Sequence, residues 1–559
     1  LISQVLREEW GFKGLVVSDW GAVNDRVAGL AAGLDLEMPA SGGATDAQIV
    51  AAVSDGSLDE RVLDAAAARV AALALRSAAT ARVAGPLDVD AYHALAREAA
   101  GRSVILLKNE GDLLPLAPET NVAVIGEFAQ SPRYQGAGSS RINPTRLDRA
   151  IDEIRGLATG AVTFDAGFSA GEEGGLAAEP AASAASEAQA GSAGSAAAPD
   201  QLRAEAVAAA AAADVAVVFL GLPGHLESEG FDRADISLPA EQLALLDAVL
   251  AANPRTVVVF SHGGVVALPF ADRVPAVLDA SLLGQAGGGG TADVLYGVVN
   301  PSAKLTETVP VRLEDNPSYD NFPGEHGHVR YCEGLFVGYR GYDHRDLPVT
   351  FPFGHGLSYT SFEYSDAIVA EVGGGGAGDG SGDIEVRVTV TNVGDRDGAE
   401  VVQVYASVPG SAVTRPVREL KGFGRIALAA GESGEAVITV RREDLAYWDI
   451  RVDRWIVEHG DYTFEVGASS RDIRAAVTFA VSGDEVTVPI SRESSLGEGF
   501  ANPRAMAALQ RAIKQSGASS IETDFSAELQ MMLASFPVGR MGMFGLSPDQ
   551  IDAFVRDAN

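Results

Sequence analysis

Apolar residues recur with two different periods along the chain, and the change of period divides it. From residue 1 to about 84, short apolar runs alternate with longer amphipathic stretches. Residues 14–18 and 34–38 have the length of buried strands, and Pro39 ends the second run. Helices are predicted over residues 1–10, 24–32, 46–54 and 59–75. Strands and helices that alternate with short connections favour a parallel sheet covered by helices.

Residues 95–310 repeat this alternation as a separate block. Strands are predicted over residues 122–125, 162–164, 215–220, 256–260 and 276–278, with helices between them, for example over 201–212 and 240–251. The strand runs are apolar without alternation, which indicates burial on both faces. Residues 169–200 interrupt the block with Ala, Gly, Ser and Glu in low-complexity order. We interpret them as a disordered surface insertion, because they cannot bury enough apolar area to order themselves.

The apolar period changes to two beyond residue 383, which is typical of half-buried antiparallel strands. Such strands are predicted over residues 384–390, 401–407, 423–428, 436–440, 455–457 and 462–466. Residues 383–480 are therefore predicted to form a β-sandwich. Residues 311–372 are interpreted as an ordered connecting segment, and 373–382 as a flexible Gly-rich stretch.

The last part of the chain, residues 490–559, is predicted to be a helical extension. Ser547, Pro548 and Gln550 have the capping pattern of a final helix, with proline at its first position. The predicted fold class is therefore a multidomain α/β plus all-β protein.

Composition narrows the classes of partner. The 559 residues carry a formal net charge of −34, which argues against nucleic acid or an anionic membrane and favours a neutral small molecule. No uninterrupted apolar run is long enough to span a membrane. Cys332 is the single cysteine, so an intrachain disulfide and cysteine-type metal sites are excluded. The densest histidine cluster, at residues 325–328, is interpreted as an ordinary polar loop, and no metal or cofactor is predicted.

The chain opens with Leu1, and its first residues already resemble the middle of a fold. We therefore expect the true start to lie upstream, so a missing signal peptide says nothing about localisation. A cytoplasmic location is slightly favoured, although one cysteine is compatible with secretion as well. The sequence leaves the oligomeric state open.

The first candidate for chemistry is Asp19, which follows the apolar run at residues 14–18 and precedes Trp20. Active-site groups of βα barrels lie at the carboxyl ends of strands. A tryptophan beside a carboxylate suits a sugar, whose C–H face stacks on the ring while its hydroxyls take hydrogen bonds. The alternative is that Asp19 only caps the next helix.

The second candidate is the segment 221–239, which follows the strongest predicted strand of the chain. It contains Glu227, Glu229, Asp232 and Arg233, enough charge to tune the pKa of one acid. Loops in this position are expected functional sites in open α/β sheets. The alternative is a solvated acidic loop with an Asp–Arg ion pair.

The order of several motifs resembles the three-domain β-glucosidases of glycoside hydrolase family three, from residue 1 to about 480. No single motif is specific, but six in fixed order make coincidence very improbable. They lie at residues 11–20, at 32–39, at 103–109 with 114–116, and at 122–126 with 136–140, and at residues 331–342 and 351–359 ahead of the sandwich.

The resemblance implies a role for each candidate residue. Asp19 matches the nucleophile, and Glu229 matches the acid/base, with Glu227 ranked second. Trp20 would line the sugar site. The implied reaction is retaining exo-hydrolysis of terminal β-D-glucosyl residues, for which the two carboxyls must stand about 5–5.5 Å apart. The pKa of Glu229 would have to be raised while that of Asp19 stays low.

The chain also departs from the family pattern. The family's catalytic barrel has eight strands, and residues 1–84 hold only about two βα units. We therefore interpret residues 1–84 as the C-terminal remnant of the barrel, 95–310 as an α/β sandwich domain, and 383–480 as a fibronectin type III-like brace. Thr306 stands where proline is usual, and residues 282–284 lack an expected tryptophan.

Two alternatives remain open for function. One is β-xylosidase or arabinosidase activity within the same family. The other is a catalytically silent fragment, because the substrate-gripping residues of the earlier barrel strands have no counterpart in the chain. A β-N-acetylhexosaminidase is disfavoured, because those relatives usually take their acid/base from a barrel loop and do not need Glu229.

Overall fold

The structure, a computed structural model, describes residues 1–80, 85–170, 198–373, 382–516 and 527–559. It divides into two units, Leu1–Asp88 and Val89–Asn559, and each is described separately below. Most of the insertion predicted at 169–200 and of the Gly-rich stretch predicted at 373–382 lies outside the described residues. None of the described helices is both long and apolar enough to cross a membrane.

The first unit is built from helices around one short pairing of extended segments. The predicted strands at 14–18 and 34–38 run in parallel but form a single bridge, between Val17 and Leu36. The amide of Ser18 donates to the Leu36 carbonyl at 2.9 Å. The helical elements are a π-helical segment Ile2–Glu9 and the α-helices α1 Arg26–Ala31, α2 Ala44–Asp55 and α3 Glu60–Ala79.

Apolar residues of these helices form a small core in the first unit. Its buried members come from all three α-helices and from the turn between α2 and α3. They are Leu30, Ile49, Ala52, Leu58 and Ala66. The core is modest, and several large apolar side chains of this unit are exposed, among them Trp10, Leu75 and Trp20.

The second unit begins with a six-stranded α/β sheet. Its strands are β1 Ile105–Asn109, β2 Val122–Ile125, β3 Val162–Asp165, β4 Val215–Gly221, β5 Thr256–Ser261 and β6 Ala276–Asp279. Its helices are α4 Val89–Ser103, α5 Ala150–Leu157, α6 Pro199–Ala212, α7 Ala240–Ala252 and α8 Gly287–Leu295.

The strand order is β1-β6-β5-β4-β2-β3. All neighbours are parallel except β1, which pairs antiparallel with β6. Every residue of β4 is buried, as its unbroken apolar run predicts for a central strand between two layers of helices. The chain moves from β2 outward to β3 and then back across to β4, so the order reverses between β2 and β4. Ligands of open α/β sheets bind at the carboxyl edge near such a reversal.

A short connecting region follows the sheet. It contains β7 Val309–Pro310, α9 Tyr339–His344 and β8 Val349–Phe351, with β7 and β8 paired antiparallel.

Two antiparallel sheets then form the predicted β-sandwich. One has the order β13-β10-β9 and the other β12-β11-β16-β17. The strands are β9 Phe362–Val372, β10 Asp383–Asn392, β11 Gly398–Ser407, β12 Glu419–Leu428 and β13 Ser433–Val440, the hairpin β14 Tyr447–Asp449 and β15 Arg454–Ile456, and then β16 Gly460–Ser469 and β17 Asp472–Val481. The inward positions of β10 are fully buried, as the period of two predicts.

The C-terminal region is helical, as predicted. Its helices are α10 Leu496–Ala501, α11 Pro503–Ser516, α12 Ala527–Leu533 and α13 Pro548–Ala558. The capping box at Ser547 is present: its side chain accepts from the Gln550 amide, and the Gln550 side chain accepts from the Ser547 amide. The prediction of an α/β sheet followed by an all-β sandwich is thereby confirmed.

Candidate active site

Asp19 lies on an exposed turn at the end of the first extended segment. Its Oδ1 accepts a hydrogen bond of 2.6 Å from the amide of Trp20. The Trp20 side chain is 72% exposed. Asp19 and Trp20 are therefore both exposed in the first unit, and one carboxylate oxygen of Asp19 is oriented by the backbone.

Buried polar contacts of Asp35 hold the segment that leads to Asp19. The side chain of Asp35 is 1% exposed and forms ion pairs with Arg7 at 2.6 Å and Arg69 at 2.7 Å. It also accepts from the Val16 amide at 2.9 Å. Because Val16 belongs to the segment that leads to Asp19, this buried carboxylate anchors the strand end that presents the candidate nucleophile. Asp35 belongs to the motif at residues 32–39, but nothing in that motif predicts this role.

Glu229 lies in the second unit, on the loop that follows β4. Its carboxylate is exposed, and Oε2 accepts a hydrogen bond of 2.6 Å from the Ser139 amide. Gly138 stands against the same side chain: a Cβ there would lie 2.7 Å from both Cβ and Oε2 of Glu229. Gly138 has a φ of +87°, so both its conformation and its lack of a side chain allow Glu229 to lie over this turn.

The hydrogen bonds from Ser139 lower the pKa of Glu229 below its usual value. This direction is opposite to the one that the acid/base role requires during the reaction. The physical reason is that an amide donor stabilises the ionised carboxylate while an exposed position imposes little desolvation.

Glu227 has very different surroundings from its neighbour two residues on. Its side chain is 16% exposed. Oε2 accepts from the Gly263 amide at 2.6 Å, and Oε1 accepts from the Gly264 amide at 2.7 Å. The guanidinium groups of Arg133 and Arg233 lie 3.5 Å and 3.8 Å away. Both carboxylate oxygens of Glu227 therefore accept hydrogen bonds from backbone amides, whereas only Oε2 of Glu229 does so.

Arg133, in the segment after β2, forms hydrogen bonds with the start of the loop that carries Glu227 and Glu229. It is buried and donates to the carbonyls of Leu222 and Glu227 and, at 3.1 Å, to that of Gln135. No motif singled out Arg133, and contacts to backbone carbonyls leave no pattern in a single sequence.

A pocket of about 420 Å³ opens at the carboxyl edge of the sheet where the strand order reverses. Its walls come from the segment after β2, the start of α5 and the first residues after β4. They include Phe128, Tyr134, Arg149, Pro223 and Gly224. The loop that carries Glu229 therefore begins at the position where open α/β sheets bind ligands.

The histidine-rich segment forms a tight turn, in which Glu325 and His328 exchange backbone hydrogen bonds of 3.0 and 2.9 Å. Within the part of the chain that the structure describes, no group of three or more His, Cys, Asp or Glu side chains is arranged to hold a metal ion.

Comparison with protein families matches three regions of the chain. Residues 1–73 match the glycosyl hydrolase family 3 N-terminal domain, and residues 104–359 match the glycosyl hydrolase family 3 C-terminal domain. Residues 400–470 match a fibronectin type III-like domain.

Individual relatives extend these matches over most of the chain. Thermostable beta-glucosidase B of Acetivibrio thermocellus is 45% identical over 85% of the chain, which spans 59% of that protein's length. An exo-alpha-(1->6)-L-arabinopyranosidase of Bifidobacterium breve is 43% identical over 97% of the chain and is covered over 69% of its own length.

Solved structures show the same relationship. The crystal structure of a Bifidobacterium adolescentis GH3 beta-glucosidase superposes with a TM-score of 0.79 at 45% identity, over 90% of this chain and 70% of that one. The predicted resemblance is thus confirmed: the chain belongs to glycosyl hydrolase family 3.

Proposed function

We propose that the chain acts as a retaining exo-β-glycosidase that hydrolyses terminal non-reducing β-D-glucosyl residues. The observation that carries this proposal is the contrast within one loop. Glu227 is bound through both oxygens by backbone amides, whereas Glu229 presents an exposed carboxylate with a single amide contact. Membership of the family and the names of two relatives as beta-glucosidases support the substrate class.

In the proposed mechanism Asp19 is the nucleophile. Its carboxylate attacks the anomeric carbon of the sugar, and the bond from that carbon to the leaving oxygen breaks. Glu229, in its protonated form, donates its proton to the leaving oxygen. The product of this step is a glycosyl ester on Asp19 and a free alcohol.

Glu229 then acts as the base of the second step. Its carboxylate takes a proton from water, and the water oxygen attacks the anomeric carbon of the ester. Asp19 leaves as a carboxylate and Glu229 is again protonated, so the catalyst is restored and the sugar keeps its configuration. The pKa of Glu229 must therefore rise when substrate binds, from the lowered value that Ser139 imposes on the free protein. Exclusion of water from around the carboxyl by the bound sugar would act in this direction.

Trp20 supplies the apolar surface for the sugar. Its side chain is exposed and its backbone amide binds the Asp19 carboxylate, and a pyranose can stack its C–H face on such a ring. A neutral sugar also suits a chain with a net charge of −34, which would repel an anionic substrate.

A second candidate substrate is an α-L-arabinopyranoside. The relative from Bifidobacterium breve, named an exo-alpha-(1->6)-L-arabinopyranosidase, is matched over 97% of this chain. The same pair of carboxylates would serve both substrates, since the sugar ring changes and the two chemical steps do not.

Hydrolysis of 4-nitrophenyl β-D-glucopyranoside and 4-nitrophenyl α-L-arabinopyranoside by the purified protein tests the proposal. We expect a higher kcat/KM for the glucoside and loss of both activities in Asp19→Ala. Glucose released in the β configuration, detected by NMR before mutarotation, is the expected stereochemical result. Release of α-glucose, or unchanged turnover in Asp19→Ala, would refute the double displacement.

A further inference from the structure

The loop 222–233, here called the acid/base loop, is attached to the sheet through Glu227. Its carboxylate binds the amides of Gly263 and Gly264, which follow β5 after the single residue His262. We call this contact the Glu227 clamp. The fit is tight, since a Cβ on Gly263 would lie 2.9 Å from Oε2 of Glu227. The clamp thus joins the loop after β4 to the turn after the neighbouring strand.

The turn that supplies these two amides is itself held by His262. The imidazole is buried and stacks on Phe260, with ring centroids 5.1 Å apart. Nδ1 faces the Gly264 carbonyl oxygen at 2.8 Å, and Nε2 faces Oδ1 of Asp279 at 3.1 Å. Both ring nitrogens meet acceptors, and only the imidazolium form can donate to both.

We propose that Glu227 is a positioning residue that fixes the acid/base loop, and that the imidazolium form of His262 holds the glycine turn to which Glu227 binds. The proposal rests on the proposed role of Glu229 as acid/base. Glu227 touches neither substrate nor reacting atoms in this account. It acts by restricting where the Glu229 carboxylate can be, two residues further along the loop.

The charges around His262 decide the pH range in which the clamp is closed. Burial lowers the pKa of His262, but the hydrogen bond and the charge of Asp279 raise it more, together with the Gly264 carbonyl and the charge of Glu307, so that the net pKa is raised. Desolvation raises the pKa of Glu307. The charges of His262 and Arg233 lower that pKa, and the charges of Asp279 and Glu227 raise it. A raised histidine pKa stabilises the fold below its unfolded value of about 6.5, and that contribution is lost as the pH rises through the folded value. The clamp should therefore loosen on the alkaline side.

The substitution Glu227→Gln tests the clamp directly, because the amide keeps the size of the side chain but places an NH2 group against a backbone donor. We expect hydrogen exchange of the amides in residues 222–233 and 263–264 to become at least about 10-fold faster, the equivalent of one lost charge-assisted hydrogen bond. Asp232→Asn removes an exposed carboxylate from the same loop and should leave exchange unchanged. Gly263→Ala, which crowds the clamp without changing charge, should act like Glu227→Gln.

The leaving group separates positioning from a general loss of stability. A misplaced proton donor slows substrates with poor leaving groups, which need protonation, more than activated ones. For Glu227→Gln we expect kcat/KM for a methyl β-glucoside to fall about 10- to 100-fold, and kcat/KM for 2,4-dinitrophenyl β-glucoside to change less than about 3-fold, because kcat/KM reports the first step, in which only the poor leaving group needs the proton. An equal fall for both substrates, or unchanged exchange in the loop, would overturn the proposal.

The pH dependence tests the contribution of His262. In the unsubstituted protein, exchange of residues 263–264 should accelerate as the pH rises past the raised pKa of His262, beyond the ordinary chemical dependence measured in an unstructured peptide of the same sequence. In His262→Gln this excess should disappear; an excess that persists would overturn the role given to His262. Exchange needs no substrate, so a loop that loosens in Glu227→Gln while the unsubstituted protein hydrolyses no glucoside would overturn the proposed function but not the clamp.

Discussion

Glu227 and Glu229 stand two residues apart, and their carboxylates differ in exposure and in hydrogen bonding. Two amides bind the first through both of its oxygens, and one amide touches the exposed second. The sequence ranked Glu229 above Glu227 only through a resemblance of one short motif. The structure adds a physical reason to that ranking, since a carboxylate bound on both oxygens cannot readily take and give a proton.

Gly138 offers a test of how Glu229 is seated. An alanine there would be strained at a φ of +87° and its Cβ would meet Glu229 at 2.7 Å. We expect Gly138→Ala to lower kcat for poor leaving groups about 10-fold or more by displacing the acid/base. Gly230→Ala is the matched control, because its φ of +96° carries similar strain while no other atom lies within 4 Å of the new Cβ. Equal kinetics in the two variants would contradict this prediction.

Asp35 is the residue on which the first unit should depend most. It is buried between Arg7 and Arg69, and removal of a buried charge leaves its partners uncompensated. We expect Asp35→Asn to lower the free energy of unfolding of this unit by about 3 kcal/mol. Denaturant titration followed by tryptophan fluorescence measures it. Asp46→Asn, at an exposed position in the first turn of α2, should cost less than about 0.5 kcal/mol.

At the scale of elements, β4 and α7 together fix the start of the acid/base loop. Gln242 of α7 is buried, and its side-chain amide pairs with both the N–H and the C=O of Gly221, each at 2.9 Å. Gly221 is the last residue of β4. This one side chain therefore terminates the strand at a defined residue, immediately before the loop that carries Glu229.

Substitution Gln242→Leu should leave two buried backbone groups of Gly221 without partners. We expect a loss of about 1–3 kcal/mol in the free energy of unfolding and faster hydrogen exchange in residues 222–226. Gln201→Leu on α6, where the side chain is exposed, is the control and should change neither. Unchanged exchange in Gln242→Leu would show that this pair does not define the strand end.

The central strands were predictable because their apolar runs are unbroken. The predictions at 122–125 and 215–220 agree with β2 and β4 to within one residue, and the capping residues of α13 were also correct. The helix α8 of the same domain was not predicted. It begins with four consecutive glycines, which are poor helix formers. They are needed because a Cβ on Gly290 would lie 2.5 Å from the Gly101 amide nitrogen in α4.

Other parts of the fold and site leave no local pattern. No strand was predicted for β1, β9 or β17. β1 pairs with β6, which is distant in sequence, whereas β9 and β17 each pair with a neighbouring strand, β10 and β16. In the site, Asp19 and Glu229 came from motif order. The groups that hold them are mostly backbone amides, at Trp20, Ser139, Gly263 and Gly264, and an amide contact depends on the folded path of the chain and not on residue type.

At the scale of the whole molecule, the net charge of −34 should select against anionic substrates. We expect kcat/KM for a β-glucoside with an anionic leaving group to rise several-fold between about 0.01 M and 0.15 M ionic strength, as screening shortens the Debye length from about 30 Å to 8 Å. A neutral glucoside should show almost no salt dependence. The same salt dependence for both substrates would show that the net field has no part in substrate encounter.

The double displacement through Asp19 is the central claim, and one trapping measurement tests it most directly. A 2,4-dinitrophenyl 2-deoxy-2-fluoro-β-D-glucoside reacts with the nucleophile and then hydrolyses slowly, because fluorine destabilises the oxocarbenium-like transition states. Peptide mass spectrometry of the protein after this reaction should place one fluoroglucosyl group on Asp19, and Asp19→Ala should carry none. A label on another carboxylate, or no label while dinitrophenol is released, would contradict the account.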